Sequence, residues 1–137
     1  MAKIEFNFKK YEKVNARFEN RVTITLSRSF GFPARFCQDN KLDMFKYVVL
    51  YFDEENKAIG FCFTSDALEK NKYSLIRSKK GYGALVVASS FFKNYKLDPK
   101  KYRGKYEPKR KNITGIGRLF IINLKDKETS IRREGEG

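Results

Sequence analysis

The fold of this protein is decided by residues 24–63, which read ITLSRSFGFPARFCQDNKLDMFKYVVLYFDEENKAIGFCF. A similar order recurs in residues 75–121, which read LIRSKKGYGALVVASSFFKNYKLDPKKYRGKYEPKRKNITGIGRLFI. Each stretch passes from an apolar run and a serine through a glycine–aromatic element to a phenylalanine, Lys-Leu-Asp, Lys-Tyr and finally Ile-Gly. Ordered recurrence of this kind indicates an internal repeat, and we interpret it as an ancient duplication.

The first copy predicts the order strand, strand, short helix, strand, strand. Apolar residues alternate with threonine over residues 21–26, which is typical of a half-buried strand. Gly31 and Pro33 predict irregular backbone, and residues 34–42 then give about two turns of helix. Residues 46–52 and 58–64 predict a hairpin around an acidic turn.

The second copy predicts the same order with more polar residues. Ser89 or Ser90 is suited to N-cap the short helix, and Pro108 interrupts the polar strand. The linker, residues 64–72, predicts a helical turn capped by Ser65. The predicted elements are a strand at 73–78, a basic turn, a buried strand at 84–88, a helix at 89–97, a polar strand at 102–110 and a last strand at 116–124.

The expected fold class is therefore mainly β with short helices, an α+β arrangement. Two ββαββ repeats, residues 21–64 and 73–125, are expected to form one domain, residues 21–125. Pairing two four-stranded units hides their edges, which predicts a pseudo-two-fold barrel or sheet. Residues 1–20 are expected to form an N-terminal strand or arm, and residues 126–137 a flexible tail because they contain few apolar groups.

Charge is the second strong signal in this chain of 137 residues. Thirty Lys and Arg stand against sixteen Asp and Glu, a net charge of +14. Residues 77–111 alone carry twelve basic and two acidic side chains, a net of +10. Such an excess indicates an anionic partner, for which nucleic acid is the usual choice, although solubility alone is the alternative.

Residue types that carry chemistry are scarce. The chain has no histidine, which removes the commonest general base and metal ligand. Cys37 and Cys62 lie in apolar surroundings and are expected to be small buried residues rather than zinc ligands. We therefore expect no enzyme activity, no metal and no cofactor. No apolar run suits a membrane span or a signal peptide, which predicts a cytoplasmic or nucleoid-associated protein.

The run VTITLSRSFGFPARFCQDNKLDMFKYVVLYFDEENKAIGF resembles the AbrB-type swapped-hairpin unit. The matching positions are Val22, Thr23, Ile24, Ser27, Gly31, Pro33, the segment 34–42 and the segment 48–59. In that family two units from two chains form a barrel that binds duplex DNA through basic residues, so the resemblance implies a related unit pair within one chain. A second, weaker resemblance is to Whirly-like single-strand-binding proteins, which are basic, aromatic-rich and pseudo-symmetric.

The strongest candidate site is residues 101–111, KYRGKYEPKRK. On a strand, alternation would place the tyrosines on one face and the cations on the other. Exposed tyrosines would stack on bases while the cations meet phosphates, whereas buried tyrosines would leave only a solvated basic face. The turn 77–83 would offer backbone amides and lysines to a phosphate, or be an ordinary basic hairpin turn.

The candidate nucleic-acid-binding residues are Arg28, Arg35, Arg77, Lys79, Lys80, Lys101, Tyr102, Arg103, Lys105, Tyr106, Lys109, Arg110 and Lys111. They predict a small, non-enzymatic protein, monomer or homodimer, that binds DNA or RNA mainly through the backbone, as a regulator or a single-strand binder. The alternatives are a protein-interaction module or inhibitor that docks an acidic or nucleic-acid-binding surface of a larger complex, and a component of a ribonucleoprotein.

Overall fold

A computed structural model describes residues 8, 20–77 and 83–127 of the chain. The strands are β1 (Val22–Ile24), β2 (Ser29–Pro33), β3 (Tyr47–Asp53), β4 (Ala58–Thr64), β5 (Lys72–Ser74), β6 (Ile76–Arg77), β7 (Gly83–Val87), β8 (Gly104–Tyr106), β9 (Lys109–Ile113) and β10 (Gly117–Asn123). The helices are α1 (Ala34–Asp39), α2 (Ser89–Asn94) and α3 (Pro99–Tyr102), with single 3₁₀ turns at Leu42–Met44 and Leu124–Asp126. The predicted α+β class, mainly β with short helices, is confirmed.

The strands form two antiparallel sheets of five. The first sheet has the order β6-β7-β2-β1-β8, and the second sheet has the order β5-β3-β4-β10-β9. The chain crosses between them at both sides, from β5 to β6 through Leu75 and from β8 to β9 through Glu107 and Pro108. Among the strands that the structure describes, no ladder closes the two sheets into a barrel, so the barrel alternative is wrong.

The core lies between the inner faces of the two sheets and is rich in phenylalanine. Because side chains alternate along a strand, Phe30 and Phe32 of β2 both point inward. Phe61 of β4 meets both of them edge-on, with ring centroids 4.9 Å and 5.2 Å away. Edge-to-face pairs of this kind add about 0.5–1.5 kcal/mol each to the gain from burial.

The two longer helices close this core at its opposite ends. Phe36 of α1 packs against Phe32 of the first sheet and Phe120 of the second sheet, with its ring centroid 5.4 Å and 5.1 Å from theirs. Phe91 of α2 packs against Phe30 and Phe52, the latter at 6.0 Å. Each helix therefore contributes one phenylalanine that bridges the two sheets.

Two predicted serine caps are wrong. The residue that N-caps α2 is Ala88, without a side-chain cap, and Ser90 lies inside the helix, where its hydroxyl hydrogen-bonds the Tyr73 hydroxyl at 2.6 Å. In the linker, Ser65 donates to the Met44 carbonyl at 2.6 Å, and residues 65–71 form turns rather than a helix. In both places a tertiary partner takes the hydroxyl that local sequence would assign to a cap.

Three strand predictions need correction. The irregular backbone predicted at Gly31 and Pro33 is instead the regular strand β2. Proline is tolerated there because Pro33 occupies the last position of the strand, where it pairs with Gly83. The strand predicted at 73–78 is divided at Leu75, which is buried and belongs to neither β5 nor β6. The strand predicted at 102–110 is divided by Pro108 into β8 and β9, and Tyr102 belongs to α3.

The predicted N-terminal arm lies outside the described residues apart from Phe8 and Asn20. The predicted tail begins later than residue 126, because Asp126 ends a 3₁₀ turn and the Lys127 ammonium donates to the Lys101 carbonyl at 3.0 Å. The rest of the predicted tail lies outside the described residues. Within the described ranges, no helix has both the length and the apolar character that crossing a membrane requires.

Candidate nucleic-acid interface

The densest positive charge follows the side of the molecule where the chain passes from β8 to β9. We call residues 100–111 the basic edge: they comprise most of α3, then β8, the outermost strand of the first sheet, and most of β9, the outermost strand of the second. The basic edge carries seven Lys and Arg and one Glu, a net charge of +6. The two-residue connection keeps both edge strands, and hence their cations, together.

Helix α3 is a single turn that orients the first part of the basic edge. Pro99 occupies the first turn, where its missing N–H costs nothing, and the Asp98 carboxylate accepts from the Lys100 amide at 2.9 Å. Lys101 and its neighbouring cations are exposed. The Lys101 ammonium lies 5.3 Å from the centroid of the half-buried Tyr102 ring, a cation–π contact.

Tyr106 is part of the core and not of the interface. Its pairing with Val22 places the ring on the inner face of the first sheet, where 1% of the side chain is exposed. Its hydroxyl donates to the Tyr102 carbonyl at 2.5 Å, and burial, followed by the neighbouring Tyr102, raises the pKa of Tyr106. The predicted stacking role is therefore wrong for Tyr106, since the ring has no surface to offer to a base.

Strand β9 carries cations on both faces. Lys109, Arg110 and Lys111 are exposed, and alternation sends Arg110 to one face and the two lysines to the other. Within the described part of the chain, these three side chains form no ion pair. Charges on an edge strand also discourage pairing with another chain, which is the alternative explanation for them.

The remaining predicted cations are not gathered at the basic edge. The Arg77 guanidinium donates to the carbonyls of Leu42 and Phe45, and β6, on which it lies, is the edge of the first sheet farthest from β8. Arg35 pairs with Asp39 at 3.1 Å on α1. Arg28 lies in the turn between β1 and β2, one strand away from β8, and Lys79 and Lys80 lie outside the described residues.

A shallow groove crosses the outer face of the first sheet and was not predicted. The strand register places one residue from each of the five strands side by side across the groove, and Gly31 forms the floor of the groove. This row is Lys105, Thr23, Gly31, Leu85 and Ile76. The depression has a volume of about 480 Å³ and is also lined by Arg21. The sequence marks Gly31 as unusual within a strand, but only cross-strand register reveals the groove.

One further property was not predicted from the sequence, which is that the outer part of the β9–β10 hairpin is not paired with β4. The ladder between β10 and β4 begins at Phe120, so in the described part of the chain residues 117–119 pair only with 111–113. Asn112 and Arg118 face each other in that outer part and are both exposed. The available signal was the Thr-Gly-Ile-Gly turn at 114–117, which is typical of a hairpin with a loop.

Groups suited to catalysis are few in the described part of the chain. No cluster of three potential metal ligands occurs there. Both cysteines are free and half-buried, and burial raises the pKa of Cys37 to about 11, so that its thiol is protonated at neutral pH. In the exposed β3–β4 turn, hydrogen bonds from Asn56 lower the pKa of Asp53. The absence of enzyme activity stays a prediction.

Comparisons of the chain with protein-family models, with curated proteins and with solved structures give no match. The resemblances to the AbrB-type unit and to Whirly-like proteins therefore stay predictions.

Proposed function

We propose that this chain is a basic nucleic-acid-binding protein that contacts the phosphate backbone through the basic edge. The observation that carries the proposal is the placement of seven cations along two adjacent edge strands and α3, with a net charge of +6. A surface of this kind displaces condensed counterions from a polyanion, and that release supplies most of the affinity of backbone-directed binding.

Phosphate contact is favoured over base stacking as the main interaction. Tyr106 is buried, which leaves the half-buried Tyr102 as the aromatic side chain of the basic edge. Single-strand binders use several exposed rings for successive bases, and each base adds about 1–3 kcal/mol. The basic edge has one partly exposed ring and seven cations, so electrostatic contact is the larger contribution.

The test is a fluorescence-anisotropy titration with short labelled DNA and RNA, single-stranded and duplex, at about 50 and 200 mM salt. One variant carries Lys109→Gln, Arg110→Gln and Lys111→Gln. The matched control carries Lys41→Gln, Lys57→Gln and Lys70→Gln, three exposed lysines outside the basic edge. Both variants lose three charges, so any difference in affinity between them is due to the position of the charges and not to the net charge.

We expect the β9 variant to weaken binding to every sequence alike and to reduce the salt slope by about one for each cation that contacts a phosphate. The control should keep most of the slope. Equal losses of affinity in the two variants would show that binding depends on net charge alone and not on the basic edge. No binding by the unmodified protein at low salt would overturn the proposal.

That last outcome would favour the second candidate, a protein-interaction module. The observation on its side is that, among the described residues, β9 ends the second sheet and pairs only with β10, so these residues leave one side of its backbone open to an added strand. An acidic extended peptide would suit both the open backbone and the charge.

A further inference from the structure

Within the described ranges, the outer part of the β9–β10 hairpin is a two-stranded ribbon that pairs with no third strand. We define the ribbon as residues 111–119. It contains three residue pairs, Lys111 with Leu119, Asn112 with Arg118 and Ile113 with Gly117, and the turn that joins them. Among the described residues, the ladder between β4 and β10 ends at Phe120, so the ribbon continues for roughly 10 Å without a second partner strand.

The ribbon has a firm base and an open tip. At its base, Leu119 is buried and packs on Gly60, where a Cβ would lie 3.1 Å from the leucine Cδ1. At its tip, Gly115 and Gly117 have φ angles of 86° and 106°, and a Cβ on either would meet no atom within 4 Å. Ile116, between them, is 37% exposed. Among the described residues, the two glycines of the tip therefore leave open space for a ligand.

The charge on and around the ribbon has one sign. No acidic residue occurs between Glu107 and Asp126, whereas that interval contains Lys109, Arg110, Lys111, Arg118 and Lys125. On the ribbon itself, Asn112 and Arg118 share one face and Lys111 projects from the other. A polyanion that surrounds the ribbon would meet cations on both faces.

The dimensions of the ribbon select among nucleic-acid grooves. The major groove of B-form DNA is about 12 Å wide and 8.5 Å deep, and it admits a two-stranded β-ribbon. The minor groove, about 6 Å wide, admits β-strands only where the duplex is bent and the groove is opened. The major groove of A-form RNA is deep and too narrow for side chains to read. A two-stranded segment roughly 10 Å long without a second partner strand therefore matches the DNA major groove best.

We infer that the ribbon inserts into the major groove of duplex DNA, with Asn112 and Arg118 at the base edges and Lys109, Arg110 and Lys111 at the flanking phosphates. Arginine and asparagine are the side chains that make bidentate hydrogen bonds to guanine and adenine in this groove. The inference rests on the proposed function and narrows its ligand to duplex DNA.

The test uses three probes: a duplex DNA, one of its strands alone, and the same duplex with glucosylated 5-hydroxymethylcytosine, whose sugar fills the major groove. A shortened variant joins Lys111 to Leu119 through Asn-Gly, a two-residue turn that suits a tight hairpin. This variant keeps the basic edge and removes residues 112–118. The point variant Arg118→Gln, with Lys41→Gln as the control of equal charge, needs no change of backbone.

We expect glucosylation to weaken binding of the unmodified protein to the duplex about tenfold or more, and Arg118→Gln to weaken it about tenfold, whereas Lys41→Gln has little effect. The shortened variant should lose duplex affinity while its single-strand affinity changes far less. If the glucosylated duplex binds as well as the plain one, or Arg118→Gln has no larger effect than Lys41→Gln, the ribbon inference is overturned while the proposed function stands.

Failure of the unmodified protein to bind any of the three probes would instead overturn the proposed function itself. Should the shortened variant not fold, Arg118→Gln and the glucosylated duplex decide the question without it.

Discussion

At the scale of single residues, the two tyrosines of KYRGKYEPKRK have different roles although their sequence context is alike. Tyr106 is on the inner face of β8 and Tyr102 ends α3, so they do not share a strand face. The Tyr106 hydroxyl donates to the Tyr102 carbonyl at 2.5 Å, which links the strand to the helix. A buried hydroxyl needs such a partner, because an unpaired one costs about 1–3 kcal/mol.

Tyr106→Phe is expected to lower the free energy of unfolding by about 1 kcal/mol, since it removes this hydrogen bond and leaves the carbonyl unpaired. Urea unfolding measures the change. Binding to nucleic acid should stay the same, because the ring contributes only to the core. A folded Tyr106→Phe protein with clearly weaker binding would contradict the core assignment of Tyr106.

Cys37 makes the stability of the folded protein depend on pH in the alkaline range. Burial raises the pKa of its thiol from 9.0 to about 11, while the positive charge of Arg77 opposes this rise. The folded state keeps the proton after the unfolded state has lost it, so stability is full below pH 9 and decreases between pH 9 and about 11. The pH dependence of alkylation of Cys37 by iodoacetamide, followed by mass spectrometry in a Cys62→Ala background, should have its midpoint near 11 in the folded protein and near 9 in denaturant. Equal midpoints would contradict the burial of this thiol.

At the scale of elements, the two longer helices end in the same way. The Asn40 amide donates to the Phe36 carbonyl at 3.1 Å, and the Tyr95 amide donates to the Phe91 carbonyl at 3.2 Å. The next residues, Lys41 and Lys96, both have a φ of 53°, and a buried leucine follows each of them. The two ends are equivalent positions of the two proposed repeats, which supports the duplication, although the duplication stays a prediction.

Lys41→Gly and Lys96→Gly are each expected to raise the free energy of unfolding by about 0.5–1 kcal/mol. Glycine removes the left-handed strain of roughly 1–2 kcal/mol, and part of this gain is lost to the greater freedom of the unfolded chain. The effects should be similar and nearly additive in urea unfolding, because the sites are far apart. Lys41→Ala and Lys96→Ala remove the same charges but keep the strain, so they should not stabilise. A glycine variant less stable than its alanine control would contradict this.

The sequence predicts elements well where a local pattern defines them. The β3–β4 hairpin follows from its β-branched residues and acidic turn, and α1 follows Pro33 as expected. The groove and the ribbon were missed because both depend on register between distant strands. Thr23 meets Lys105 across β1 and β8, and the ladder between β4 and β10 ends at Phe120. Sequence therefore marks residues 101–111 as basic but does not tell which of their side chains face the solvent.

At the scale of the whole molecule, the two proposed repeats, residues 21–64 and 73–125, are interleaved rather than adjacent. In each sheet a central pairing joins them, β2 with β7 in the first sheet and β4 with β10 in the second. The helices do the same, because Phe36 packs on Phe120 and Phe91 packs on Phe52. Either repeat alone would lose these pairings. Among the described residues, the first repeat keeps the contacts of Phe61 with Phe30 and Phe32, whereas the second keeps only the aromatic contacts of Phe91 with Phe92 and Tyr95.

The two halves should therefore fold only together. Fragments 1–68 and 69–137, divided in the exposed turns between β4 and β5, are each expected to lack near-ultraviolet tyrosine dichroism and strand signal in circular dichroism. Mixing them should restore both signals, and the intact protein should unfold in one transition that both signals follow alike. If either fragment folds alone, or if the intact protein unfolds in two steps, each repeat is an independent unit. In that case the basic edge and the ribbon, which lie wholly in the second half, would be able to bind nucleic acid without the first half.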